Sequence, residues 1–322
     1  MPAAASAPIR ETQDIADLRY DAFSQFMPKI ITGVWAAPET PRLANGKLDE
    51  PAFCRGIEFL LERGIKGLSI NGSPGEYGLT SDEELTRLLE LTRTAGSGKV
   101  EVICSIGAAG THGAVSKGKR AIEAGVKALL LPVPYFVEIE QEDLYAFCHE
   151  VARQLPAPIL LYNLPAVSAG LDIWTVLALI NDLPNIAGIN DGSESLDILG
   201  ALTQTGVDAC RVAGHEMALA EALREQVCDA AISGIASVIP ELLITLFERG
   251  SEPDTFGFIE SASLVDQFSK QIAALPAPWG LKLISESRGI GKANFNQPLS
   301  ERRVQQGRAL QAWFETWWAQ IS

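Results

Sequence analysis

Two short apolar runs in this chain stop at side chains able to handle protons and hydrogen bonds. Ile159-Leu160-Leu161 leads into Tyr162-Asn163, and Ile186-Ala187-Gly188-Ile189 leads into Asn190-Asp191. A phenol such as Tyr162 can relay a proton, whereas a carboxamide such as Asn190 donates and accepts hydrogen bonds but is not basic. Asn190 therefore suits the holding of a ligand carbonyl or hydroxyl, or else a structural amide role. Asp191 stands just before a helix start near Ser193-Leu196, so capping competes with a role as general base. Ser73, in the turn Asn71-Gly72-Ser73-Pro74-Gly75-Glu76, supplies a hydroxyl. Other chemistries find little support. His112, His149 and His215 are scattered and lack ligand-spaced companions, so no metal site is expected. Neither a P-loop nor a GxGxxG stretch occurs, and no cofactor is expected.

The elements that would position these residues follow a rhythm. From Ile30 onward, β-branched or apolar runs alternate with amphipathic stretches about every thirty residues. The runs are Ile31–Trp35, Gly67–Asn71, Val100–Ile106, Ala128–Pro132, Ile159–Asn163, Ile186–Asn190, Cys210–Ala213 and Ala230–Ile235. Between them, Ser81-Asp82-Glu83-Glu84 starts one helix with a cap and early acids, and Leu85, Leu88, Leu89 and Leu91 give it an apolar stripe. Eight strand–helix units in this order predict a (β/α)8 TIM barrel, whose site lies at the carboxyl ends of the strands. We therefore expect an N-terminal extension over residues 1–28, with Ile15, Leu18, Phe23 and Phe26 on one helical face. The barrel is expected over 29–240, and a C-terminal helical segment packed on it over 241–322. The last helix carries Leu310, Trp313, Phe314, Trp317, Trp318 and Ile321 at helical spacing, which reads as a packing face.

Composition narrows the partners. The chain has 322 residues, 47% of them hydrophobic, and a formal net charge of −14 from 40 acidic and 26 basic residues. That balance disfavours nucleic acid and anionic membrane surfaces as partners. Five dispersed cysteines without CxxC spacing fit free thiols in a reducing compartment. The start, Met1-Pro2-Ala3-Ala4-Ala5, lacks a basic region followed by an apolar run, and no stretch approaches the length of a membrane span. A cytoplasmic protein with a small-molecule ligand is the expectation.

The strand ends also carry a resemblance. Gly72-Ser73-Pro74-Gly75-Glu76, Pro134-Tyr135-Phe136, Leu161-Tyr162-Asn163-Leu164-Pro165 and Gly188-Ile189-Asn190-Asp191 occur in order. So do Gly33-Val34-Trp35-Ala36-Ala37-Pro38, Ile232-Ser233 and Asn296-Gln297-Pro298-Leu299. Over roughly residues 30 to 320 the chain resembles the dihydrodipicolinate synthase/N-acetylneuraminate lyase family of class I aldolases. The resemblance implies a sixth-strand lysine that forms an imine with a 2-oxo acid, a fifth-strand tyrosine that relays protons, and a loop that holds the substrate carboxylate. It places Tyr162 on the relay tyrosine and Ser73 on the loop hydroxyl. It places Asn190 where the lysine belongs. Pro74 falls where the loop offers a hydroxyl and an N–H, and proline has neither. Phe136 replaces the second tyrosine of the P-Y-Y turn, and no basic residue stands near Val167, where the synthase branch has an arginine.

The remaining lysines offer no evident substitute. Lys29, Lys66, Lys99 and Lys127 precede strands, at the opposite face. Lys117 and Lys119 read as helical and exposed, Lys47, Lys270 and Lys292 as peripheral, and Lys282 resembles a structural lysine of the family. The expected catalytic set is Tyr162, Ser73 and Asn190. The expected binding set is Ser73, Pro74, Gly75, Phe136, Val167, Asp191 and Ile232. The leading expectation is a divergent member that binds a small carboxylate, such as a 2-oxo acid or sugar acid, or an oxo or hydroxy compound, without the imine. An imine-independent lyase or dehydratase using Tyr162 with Ser73 or Asp191 stands beside it, as does an inactive homologue with a sensing or partner-binding role. The resemblance also implies a homo-oligomer.

Overall fold

The computed structural model describes residues 29–136 and 139–321. The amphipathic stretch expected within residues 1–28 lies outside them. Eight parallel strands close into a barrel in sequence order: β1 (Gly33–Ala36), β2 (Gly67–Ile70), β3 (Glu101–Ser105), β4 (Ala128–Pro132), β5 (Ile159–Asn163), β6 (Ile186–Asp191), β7 (Cys210–Ala213) and β8 (Ala230–Ser233). The helices between them are α1 (Glu50–Glu62), α2 (Asp82–Ala95), α3 (Thr111–Glu123), α4 (Gln141–Gln154), α5 (Ile173–Asp182), α6 (Asp197–Thr205) and α7 (Glu216–Arg224). Then follow α8 (Pro240–Arg249), α9 (Phe256–Ile272), α10 (Trp279–Ser287) and α11 (Glu301–Ile321). The helix starts obey the local chemistry of the sequence. Ser81 accepts from the Glu84 N–H to cap α2, and Asp49 accepts from the Ala52 N–H ahead of Pro51 in α1.

Two apolar layers hold the barrel. Residues on the outer face of the strands, such as Leu68, Cys104, Leu131, Leu161 and Ile189, pack on the helices. Trp35, Ile103, Leu130, Leu160, Tyr162, Val212 and Ile232 fill the interior. Because both faces are covered, β2, β4, β5 and β8 are buried throughout rather than alternating with water. The helix α8 packs on β1. Helix α9 lies against α7 and α8, and α10 packs on α11. The aromatic face of α11 closes over Phe268, with Trp313, Phe314 and Trp317 all within 6.2 Å of its ring centroid.

One irregularity bears on the site. The β5–β6 pairing runs from Ile159↔Ile186 to Leu160↔Gly188, skipping Ala187, and then continues through Tyr162↔Asn190. Ile186 and Ile189 both join the outer layer, three residues apart. Strict alternation cannot do this, so the extra residue shifts the phase of the strand by one. Gly188 makes the shift possible. Its φ is +147°, and a Cβ there would lie 2.1 Å from the Cys210 carbonyl oxygen. The consequence is that Asn190 faces inward.

Candidate functional site

The carboxyl ends of β5 and β6 bring Tyr162 and Asn190 side by side on the inner wall, as directly paired residues. Tyr162 is almost fully buried, and burial pushes its phenol well above the ordinary tyrosine range. The Ser73 backbone N–H, which hydrogen-bonds the phenol oxygen, opposes that shift, while Tyr77 and Glu216 add to it. The phenol is therefore a proton donor throughout the physiological range. Asn190 is 1% exposed, and neither its Oδ1 nor its Nδ2 has a partner. Its room comes from Gly214, where a Cβ would sit 2.4 Å from Oδ1. A buried amide with both ends unpaired is costly unless water or a ligand meets it.

The inner wall carries more polar atoms in the same condition. Ser69 and Ser105 alternate with outward residues of β2 and β3, so their hydroxyls face the interior. Both are fully buried, and neither hydroxyl has a partner. Sequence reasoning passed over them. The alternation Leu68-Ser69-Ile70 within a barrel strand was the available signal.

The β2 loop wraps over the mouth. Thr40 Oγ1 donates to the Gly75 carbonyl at 2.9 Å, and the Pro74 ring lies in the space beside Gly234 at the end of β8. Glu76 does not face the barrel interior as a free base. It accepts from Lys282 Nζ at 2.7 Å and from Asn296 Nδ2 at 2.9 Å, tying the loop to α10 and the segment before α11. Next to this pair, Glu39 is buried with an unpartnered Oε2, and burial raises its carboxyl to about 7 against the pull of Lys282. It lines a cavity of about 20 Å³ with Ser237 and Ser285, room for one water molecule.

Several expected residues stand elsewhere. Asp191 follows Asn190 and so points outward, where its Oδ1 accepts from Asn163 Nδ2 at 2.9 Å and from the Ser193 N–H at 3.0 Å. The bond to Ser193 closes a local turn ahead of α6 rather than capping that helix, and the other oxygen, Oδ2, is buried without a partner. Phe136 is 95% exposed with φ +86°, and Val167 is 58% exposed, so in the single chain neither side chain closes on Tyr162. Ile232 belongs to the interior wall. Lys117, expected to be exposed, is buried in α3, because its ammonium donates to the carbonyls of Tyr77 (3.2 Å) and Gly107 (2.9 Å). Burial lowers its pKa. Among the described residues no group of three or more His, Cys, Asp or Glu side chains could hold a metal ion.

A closed eight-stranded parallel barrel with a polar inner wall at its carboxyl end places the chain among the TIM-barrel proteins. Residues 30–316 match the dihydrodipicolinate synthetase family, and the chain belongs to it. A 4-hydroxy-tetrahydrodipicolinate synthase of Thermus thermophilus is 31% identical over 259 residues, 79% of this chain and 86% of that protein. The corresponding synthase of Bacillus subtilis is 29% identical over 266 residues, 81% and 90% of the two chains. In shape, the dihydrodipicolinate synthase of Aquifex aeolicus matches with a TM-score of 0.83 at 23% identity, over 89% of this chain and 98% of the other. A sialic acid aldolase of Ruminococcus gnavus matches at 0.79 and 17% identity, over 91% and 100%.

Proposed function

We propose that this protein is a divergent member of its family that binds a small carboxylate, oxo or hydroxy compound at the strand ends and does not form an imine with it. The observation that carries this reading is Asn190, an inward amide with two unpartnered polar atoms beside Tyr162. A carboxamide nitrogen is delocalised and non-basic, so it holds a carbonyl or hydroxyl by hydrogen bonds and cannot condense with it. The ligand classes suggested by the family are 2-oxo acids and sugar acids. A homo-oligomer is part of the reading, since Phe136 offers an exposed aromatic ring near the mouth. So is a reducing, cytoplasmic setting, since all five cysteines are free.

A second reading is an imine-independent lyase or dehydratase. Tyr162, kept protonated by its burial, would be the proton donor. Ser73 is the better companion of Tyr162 here, because Asp191 points away from the barrel interior, with its Oδ1 held by Asn163 and Ser193.

The test combines two measurements. Borohydride treatment with pyruvate is expected to leave the protein mass unchanged, and an adduct on any lysine, Lys117 included, overturns the imine-free reading. A thermal-shift screen of oxo and hydroxy compounds then finds the ligand. Turnover of a hit that is lost in Tyr162→Phe supports the lyase, whereas binding without turnover supports a sensing or partner-binding role.

A further inference from the structure

We infer that the amino-terminal segment of this same chain, residues 13–28, seats its apolar side in a cavity at the amino end of the barrel and its acidic side against the lysines of that rim. The inference goes beyond the ligand reading, which concerns the opposite end of the barrel.

The receiving surface is apolar at its centre and charged at its edge. A cavity of about 330 Å³ opens where β1, β2 and β3 begin, lined by buried Trp35 and by the half-buried side chains of Ile30, Val34, Ile244 and Phe247. Lys29, Lys66 and Lys127 stand exposed around it, together with Glu101 and Glu248.

The chain is pinned at this rim. Lys29 Nζ donates to the Ala209 carbonyl at 2.6 Å and lies 3.5 Å from the Asp229 carboxylate. Phe26 comes only three residues before Lys29, and three residues of chain reach at most about 10 Å. Its ring is therefore held in the neighbourhood of the cavity.

The chemistry of the segment matches. Ile15, Leu18, Ala22 and Phe26 recur at helical spacing, and Asp14, Asp17 and Asp21 recur on the neighbouring flank. Arg19 falls within the apolar side, where its stem can lie along apolar surface and its head can meet Glu101 or Glu248. Residues 1–28 hold four acidic and two basic side chains, a balance drawn toward Lys66 and Lys127. A second surface is disfavoured by its charge. The groove between α5, α6 and α7 exposes Trp174 beside Leu196, but its charged lining is Asp197, Glu221 and Glu225, which repel an acidic segment.

Zero-length carbodiimide cross-linking of the full chain, mixed in equal amounts with an isotope-labelled copy, tests the seating by peptide mass spectrometry. Asp14, Asp17 or Asp21 is expected to link to Lys66 or Lys127 within one chain. Leu18→Ser combined with Phe26→Ser leaves every charge in place. This variant is expected to cut the link at least about tenfold and to lower the Tm by about 3 °C or more, with unfolding still cooperative. Links from these aspartates only to lysines elsewhere, links only between labelled and unlabelled chains, or no link at all overturn the inference. A link undiminished in the double variant overturns it as well, because the apolar side would then not be what seats the segment.

Discussion

Tyr162 and Asn190 are directly paired across β5 and β6, and both face the barrel interior. A proton donor and a hydrogen-bonding amide thus occupy the two adjacent places where the chemistry of a strand-end site is set. The pairing also defines the most direct manipulation of the site. Asn190→Lys would put a desolvated amine beside Tyr162, and burial lowers the pKa of an amine. We expect borohydride with pyruvate to trap an adduct on residue 190 in this variant and none in the parent, as read by intact-mass and peptide mass spectrometry.

The inward aim of Asn190 depends on two glycines. In Gly188→Ala the new methyl meets the Cys210 carbonyl and the backbone is held at φ +147°, so a loss of about 3 kcal/mol or more is expected in urea unfolding. Gly214→Ala instead crowds Asn190 Oδ1. Its expected signature is a smaller loss, about 1–3 kcal/mol, together with failure to bind whatever ligand the screen finds.

Tyr162 should reveal itself in an ultraviolet pH titration. Its burial raises its ionisation, as burial also raises Tyr77 to about 12, so both should titrate late, and Tyr162→Phe should remove one group's share of that late phase. A late phase of undiminished amplitude in the variant would show that the phenol is not the shielded donor described above.

The stability of the protein should fall as the pH rises from about 5 to 8. The Glu39 carboxyl is raised from 4.5 to about 7 in the folded state, chiefly by burial. The native protein thus binds the proton more tightly than the unfolded chain. Its contribution is fully present below 4.5 and is lost as the pH climbs through about 7, on the order of a few kcal/mol. Glu39→Gln, uncharged at every pH, should flatten this part of the profile in thermal unfolding measured across the range.

Lys282 and Glu76 form a buried ion pair, with side chains 2% and 9% exposed. Lys282→Met leaves the carboxylate without its cation, and should cost about 3–5 kcal/mol. Because Glu76 ends the loop that carries Ser73 and Pro74, the variant should also weaken ligand binding, measurable as a smaller ligand-induced thermal shift.

The sequence by itself determined the architecture and the chemical inventory of the strand ends. The eight apolar runs fall on β1 to β8, since short runs between amphipathic helices can bury both faces only in a parallel sheet. Tyr162 and Asn190 could be placed at strand ends by counting. Their orientation could not. The local pattern Ile186-Ala187-Gly188-Ile189-Asn190 gives Asn190 the same parity as outward Ile186, and only the skipped residue at Ala187–Gly188 turns it inward. Lys117 shows the same limit: its helix looks exposed locally, yet the carbonyls of Tyr77 and Gly107, 40 and 10 residues away, draw its ammonium inside. Side-chain type and strand order are local properties of the chain. Strand phase, burial of a charge and the absence of a partner for an amide are decided by neighbours distant in sequence, and those meet only when the barrel closes.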